Sequence, residues 1–343
     1  MAPRGPAVAA LPHYPSLGGR ARHCSCPCVK DFPWLQKSPQ DKGIELKGLA
    51  ATLYGEHNYT MNLQQLLDDL YAPLRGISDR TATLYRYSLE AWGRQLGRSP
   101  CLDDLDEVAV ARFLASRSRE RSPATVAKDR AQLVALWGFA AKRGLVSTWP
   151  EVRRITVPER VPEAWTADEF RRLLASASLE AVEVAGIPGG LWWRAFLLVC
   201  YDTAERVTAV RGLRWSDVGE ADVIFRAEVR KGGKRDICRP VGKSTLSALS
   251  AIREPRRDLV FPWDKCESYL WGRMGIILRR AGLPADRRSK FHRIRRTTAS
   301  FYAAAGHSAT QLLDHSSPAV TRRYLDPRIV RGVAAPNVLP AVG

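Results

Sequence analysis

Leu312-Leu313-Asp314-His315-Ser316-Ser317-Pro318-Ala319-Val320-Thr321-Arg322-Arg323-Tyr324, with His292-Arg293-Ile294-Arg295 upstream of it, is the stretch on which the reading of this chain turns. Each piece is weak alone. His292 and Arg295 stand three residues apart, so a helix would put both on one face, yet a histidine on a half-buried helix is more often structural than chemical. Tyr324 is one of ten tyrosines. A phenol, with an ordinary pKa near ~10, attacks phosphorus only where cationic neighbours or a base help to remove its proton. Two upstream positions change the weight of the set. Arg206 lies eight residues before Arg214 of Leu213-Arg214-Trp215-Ser216-Asp217, and Lys231 opens the turn Lys231-Gly232-Gly233-Lys234. Together these residues supply a nucleophile, two guanidinium forks for a phosphate, and His and Lys groups that move protons.

Charge points to the same chemistry. The chain carries a net charge of +18, and residues 151–343 alone hold 33 Lys+Arg against 21 Asp+Glu. Such an excess favours a polyanionic partner, because each neutralised phosphate releases counterions. No apolar run approaches the ~18 residues that a membrane span needs; the run Trp192–Cys200 is broken by Arg194. No secretory h-region is evident, so a cytoplasmic protein is expected. Seven cysteines, an odd number, argue against a disulfide framework. Cys24-Ser25-Cys26-Pro27-Cys28, with His23 beside it, lacks the paired spacing of a zinc site, and no metal is expected there.

The expected fold class is mainly α with a small β-sheet (α+β). Residues 1–60 are rich in Pro, Gly and Ala and show no sustained periodicity. They read as a disordered arm, or as sequence upstream of a true start at Met61. Residues 61–150 read as a helical bundle. Its helices are expected after Met61, over Asp79–Leu96 with Leu84, Tyr87, Leu89 and Trp92 as apolar anchors, over Glu107–Ser116, and from the Ser122-Pro123 cap to about Lys142. Arg117, Arg119, Arg121, Lys128 and Arg130 lie on polar faces, either as solvated surface or as phosphate contacts. Residues 151–164 form a proline-punctuated linker. A domain over 165–327 opens on the capping box Thr166–Glu169. It continues through a buried helix at Trp192–Cys200 and a β-hairpin, Val223–Arg230 and Arg235–Val241 about a Gly-Gly turn. Further helices are expected near 244–253, 269–281, 291–305, 310–314 and 319–325, and residues 328–343 form a tail.

These motifs, in this order, resemble the tyrosine recombinase (phage integrase) family. That family shows an Arg before a Leu-Arg-Trp-x-Asp segment, a hairpin Lys, H-x-x-R, Leu-Leu-Gly-His-Ser-Ser, and a Tyr nine residues after that His. Here His315 to Tyr324 is nine residues, and Leu312–Ser317 matches at all but one position. Asp314 stands where the family has Gly, and Ala209 where it often has Glu. The resemblance implies a core-binding (SAM-like) bundle followed by a tyrosine-recombinase catalytic domain. It implies a site of Arg206, Lys231, His292, Arg295, His315 and Tyr324, with Lys234 as the alternative to Lys231. It also implies a covalent 3′-phosphotyrosyl intermediate formed without ATP, metal or cofactor, double-stranded DNA as partner, and a homotetramer in the synaptic complex from protomers that are monomeric off DNA. The family's tails dock on a neighbouring subunit. The rival readings are type IB topoisomerase-like DNA relaxation and a DNA-binding relative without activity.

Overall fold

The computed structural model describes residues 61–233 and 235–330. The expected arm over 1–60 with its cysteine cluster, Lys234, and residues 331–343 of the tail lie outside the described residues. The chain divides into two compact units after Pro158.

In the first unit a capped run opens at Asn62, whose side chain accepts from the Gln65 amide at 2.8 Å while Gln65 answers the Asn62 amide at 3.1 Å. The run continues through a π-helical turn at Leu66–Tyr71 that turns Leu66, Leu67 and Tyr71 into the core. Helix α1 (Asp79–Leu96) starts at the Ser78 cap and stops at Gly97, where φ of 71° suits glycine. Helices α2 (Glu107–Glu120) and α3 (Pro123–Lys142) pack with α1 around Trp92, Phe113, Trp137 and Phe139. Ser122 caps α3 with Pro123 at its first position, as the sequence leads one to expect.

Two expectations for this unit need correction. Leu84 and Tyr87 are 43% and 56% exposed and anchor nothing, because the buried stripe of α1 runs through Ala82, Leu89 and Trp92. Three of the basic residues are engaged within the unit. Arg117 and Lys128 pair with the wholly buried Asp129 at 3.0 and 2.8 Å, and Arg130 donates to the carbonyls of Val152 and Arg153. Burial by itself would raise the Asp129 pKa, but hydrogen bonds from Lys128, Ser88 and Arg117 hold it below the usual range.

The second unit is built around α5 (Gly189–Thr203), buried on nearly every side. It packs against α4 (Ala167–Ser178), α7 (Lys243–Ser250) and α9 (Phe291–Ala304). Trp192, Trp193, Phe196, Phe261 and Phe291 interlock at its core. The capping box of Thr166 and Glu169 is formed in both directions. Strands β1 (Asp222–Phe225) and β2 (Ile237–Pro240) pair antiparallel, from Asp222 opposite Pro240 to Phe225 opposite Ile237. The hairpin is therefore real but shorter than expected. Beyond Phe225 the ladder gives way to a 3-10 turn at Ala227–Val229, because Asp236 turns back to accept the Ala227 amide at 2.9 Å. Helix α8 (Glu267–Arg280) precedes α9, and α10 (Ala309–Leu313) and α11 (Pro318–Arg322) close the described chain. Helix α11 ends before Tyr324, which stands in the turn beyond it instead of within a helix. The sequence reading also missed α6 (Val207–Arg211), five residues that start directly after Arg206. Among the described residues, mainly helical structure with one small two-stranded sheet agrees with the expected class. Among the described residues no helix is long and apolar enough to cross a membrane.

Candidate active site

Two left-handed residues shape this site. Ala204, at φ of 53°, stops α5 and turns the chain so that Arg206 heads α6. Asp314, at φ of 51°, stops α10 just before His315. Neither is glycine, although an L-residue in this region costs roughly 1–2 kcal/mol. Both turns are held by Arg295. Its Nη1 donates to the Ala204 carbonyl, and its Nη2 donates to the Leu313 carbonyl at 2.7 Å. Arg295 is 2% exposed, and its buried Nε has no hydrogen-bond partner among the described residues. Burial, then the neighbouring Arg206, lowers its pKa to about 10, which leaves it cationic at neutral pH.

His292 stands one turn before Arg295 on α9 and is an exposed residue. Crowding by the surrounding chain, followed by the charges of Arg296, Arg295 and Arg206, pushes its pKa below the ordinary value. His315 shares a hydrogen bond between Nδ1 and the Thr321 hydroxyl at 3.1 Å. Loss of hydration, then Arg295 and Arg206, pushes it down to about 4 against a smaller opposing effect of Asp314. The ring is therefore neutral at pH 7. Its centroid lies 4.8 Å from that of Tyr324, and the Arg295 guanidinium carbon lies 5.9 Å from the Tyr324 ring centroid. Arg206, His292, Arg295, His315 and Tyr324, contributed by four separate segments, thus form one electrostatically connected cluster. Lys231 is not brought into contact with them. It is exposed at the hairpin turn and bonds to no side chain among the described residues.

Four residues that sequence reasoning passed over complete the site. Glu205 is buried beside Arg206 and accepts its amide at 3.2 Å. The same carboxylate faces Arg230, Arg239 and Arg295 at 3.4, 3.8 and 4.0 Å. Four guanidiniums, Arg206, Arg230, Arg239 and Arg295, stand against two carboxylates, Glu205 and Asp314, so the cluster keeps an excess of positive charge for an anion. Behind Tyr324, the buried Asp326 accepts the Ala164 amide at 2.7 Å and donates its own amide to Ser300 Oγ at 2.9 Å. Burial opposes ionisation of Asp326, but Arg328 and the Ala164 N–H outweigh it and hold the carboxyl at about 2. The available signal was adjacency alone, Glu205 to Arg206, Arg230 to Lys231 and Asp326 to the tyrosine segment.

Residues 164–329 match the model of the phage integrase family. Among curated proteins, the chain is 30% identical over 184 residues to tyrosine recombinase XerC of Xanthomonas campestris pv. campestris (strain B100), covering 52% of this chain and 54% of that one. It is 27% identical over 178 residues to tyrosine recombinase XerD of Ralstonia nicotianae, covering 51% and 56%. The chain thus spans about half the length of the curated relatives it matches. Among solved structures, a lambda integrase tetramer bound to a Holliday junction superposes with a TM-score of 0.61 at 20% identity, over 83% of this chain and 86% of that one. The XerH recombinase bound to difH substrate superposes with a TM-score of 0.55 at 17% identity, over 76% and 81%. At such identities the likeness speaks to the fold.

Proposed function

With residues 164–329 belonging to the phage integrase family, we propose that this protein is a site-specific DNA recombinase that breaks and rejoins duplex DNA through Tyr324. The observation that carries the reading is the cluster of Arg206, Arg295, His315 and Tyr324, with its excess positive charge and the Arg295 guanidinium carbon 5.9 Å from the Tyr324 ring centroid. That arrangement suits a phosphodiester. In this reading the non-bridging oxygens rest on Arg206 and Arg295, whose planar forks match the charge that grows on them in the transition state.

The Tyr324 Oη attacks phosphorus in line with the 5′-oxygen. The new O–P bond forms as the P–O5′ bond breaks, giving a 3′-phosphotyrosyl link and a free 5′-hydroxyl. The phenol proton leaves to His292, which is neutral near pH 7 and able to accept it. The 5′-oxygen takes a proton from Lys231, the general acid of this scheme, and His315 in its neutral form hydrogen-bonds the reacting phosphate. Proton transfers of this kind contribute roughly 10²–10⁴ in rate. The phosphodiester is exchanged and not hydrolysed, so the reverse reaction with another 5′-hydroxyl rejoins the strand. Exchange between two duplexes takes four such sites, hence a homotetramer on DNA in the cytoplasm.

A duplex recovered by the full-length protein from a random-sequence pool, then nicked near the cleaved position so that the adduct accumulates, tests the reading. Covalent protein–DNA adduct is expected for the wild type and none for Tyr324→Phe. An adduct that survives Tyr324→Phe removes Tyr324 from its role. Relaxation of supercoils without strand exchange between duplexes assigns the chemistry to topoisomerase-like relaxation instead.

A further inference from the structure

Asp314 occupies the left-handed region, φ 51° and ψ 48°, which glycine adopts freely and aspartate only occasionally, where its side chain finds a partner. A residue kept against its backbone preference points to a task for its side chain. The Asp314 carboxylate takes Arg230 Nη2 at 2.9 Å and lies 3.6 Å from Arg235 Nη2. Arg230 is buried, and the same Nη2 lies 3.4 Å from Glu205. Arg239, on β2, lies 3.8 Å from that Glu205 oxygen and donates to the Leu312 carbonyl at 2.5 Å. Both arms of the hairpin are therefore tied to the end of α10, one at Asp314 and one at Leu312, with Glu205 between them. Arg230 directly precedes Lys231, and Asp314 directly precedes His315.

We infer that the Arg230–Asp314 pair, backed by Glu205, is a latch that seats the Lys231 turn beside His315, and that Asp314 is a positioning residue for proton delivery by Lys231. The inference rests on the proposed role of Lys231 as general acid. A lysine on an exposed turn must order both its backbone and its long side chain before it can protonate a departing oxygen. The latch fixes the backbone one residue away, so only the side chain remains to be ordered when DNA arrives. It also gives a use to the carboxylate at a position that glycine would fill without strain.

The test separates positioning of the acid from general support of the site. A 5′-bridging sulfur at the cleaved position leaves as a thiolate, whose conjugate acid has a pKa near ~8.5, and so needs no proton from the enzyme. The probe is the selected duplex described above, made with either 5′-oxygen or 5′-sulfur. The variants are Asp314→Gly, which relaxes the backbone, and Asp314→Asn, which tolerates the left-handed region. On the oxygen duplex Asp314→Gly is expected to slow adduct formation by about ten-fold or more, within the range that general acid catalysis supplies. On the sulfur duplex its rate is expected to return to within about three-fold of wild type, as that of Lys231→Ala should, because the acid is then dispensable. Asp314→Asn is expected to fall between Asp314→Gly and wild type on oxygen. Equal slowing of Asp314→Gly on both duplexes, or none on oxygen, overturns the latch while leaving Lys231 as the acid. Failure of sulfur to rescue Lys231→Ala overturns the acid role and the latch with it. Absence of any wild-type adduct is a separate result that overturns the recombinase reading itself.

Discussion

The Arg295 guanidinium donates to the Leu313 carbonyl across 2.7 Å, which joins α9 to the residue just before Asp314 and His315. Since the other end of the same fork holds the Ala204 carbonyl, one side chain sets the spacing between the Arg206 turn and the His315 turn. Replacement by Lys keeps the charge and loses the fork. Arg295→Lys is expected to reduce adduct formation by about 10²-fold, the size of effect seen when one preorganised donor is removed. Arg295→Ala also leaves two carbonyls and Glu205 short of a partner, at about 1–3 kcal/mol of stability. Denaturant unfolding beside the adduct assay separates the two effects.

The two histidines set a pH dependence. His315 has its pKa lowered to about 4 in the folded protein, against an unfolded value near ~6.5. Between these values the unfolded chain binds the extra proton, so stability is complete above the unfolded pKa and is lost as pH falls through the window. Unfolding free energy should therefore decline from about pH 6.5 toward about 4, with a shallower slope for His315→Asn. On the proposed role of His292 as base, adduct formation should decline on the same acid side, because its protonated ring cannot accept a further proton.

Ala204→Gly relieves the left-handed strain at the end of α5. Part of that gain is offset by the extra freedom glycine has in the unfolded chain, leaving up to about 1 kcal/mol of net stabilisation. A rise in Tm with adduct formation unchanged is the expected result, and a fall in Tm would contradict the strain.

In the first unit, Asp129→Ala strips the buried partner from Ser88, Arg117 and Lys128. Leaving buried donors unpaired costs about 1–3 kcal/mol. Equilibrium unfolding should show the loss, and Asp129→Asn should recover part of it by keeping one of the two acceptor oxygens.

Much of the site was legible in order and spacing. Caps, the Gly-Gly turn and the helical periodicity are local, so the Thr166 box, the Ser122-Pro123 start and the β1–β2 pairing could be read from neighbours in sequence. Leu84 and Tyr87 could not be sorted from Leu89 and Trp92, because which apolar residues of a long helix face the core depends on what packs against it. Glu205, Arg230 and Arg239 escaped for a related reason. A lone Glu or Arg on a loop has no signature, and its meaning comes only from partners that other segments bring to within 4 Å. The shortening of the hairpin turned on Asp236, whose side chain competes with the ladder for the Ala227 amide.

The hydrogen bond from Ala164 to Asp326 joins residues 162 positions apart. It buckles the entry of the second unit to the segment just past Tyr324, so the loop of chain between them is closed on itself like a belt. Any pull on the chain entering at Ala164 is borne by the residue two places after Tyr324. Mechanical tension along the chain would therefore reach the Tyr324 segment directly, through one buried hydrogen bond.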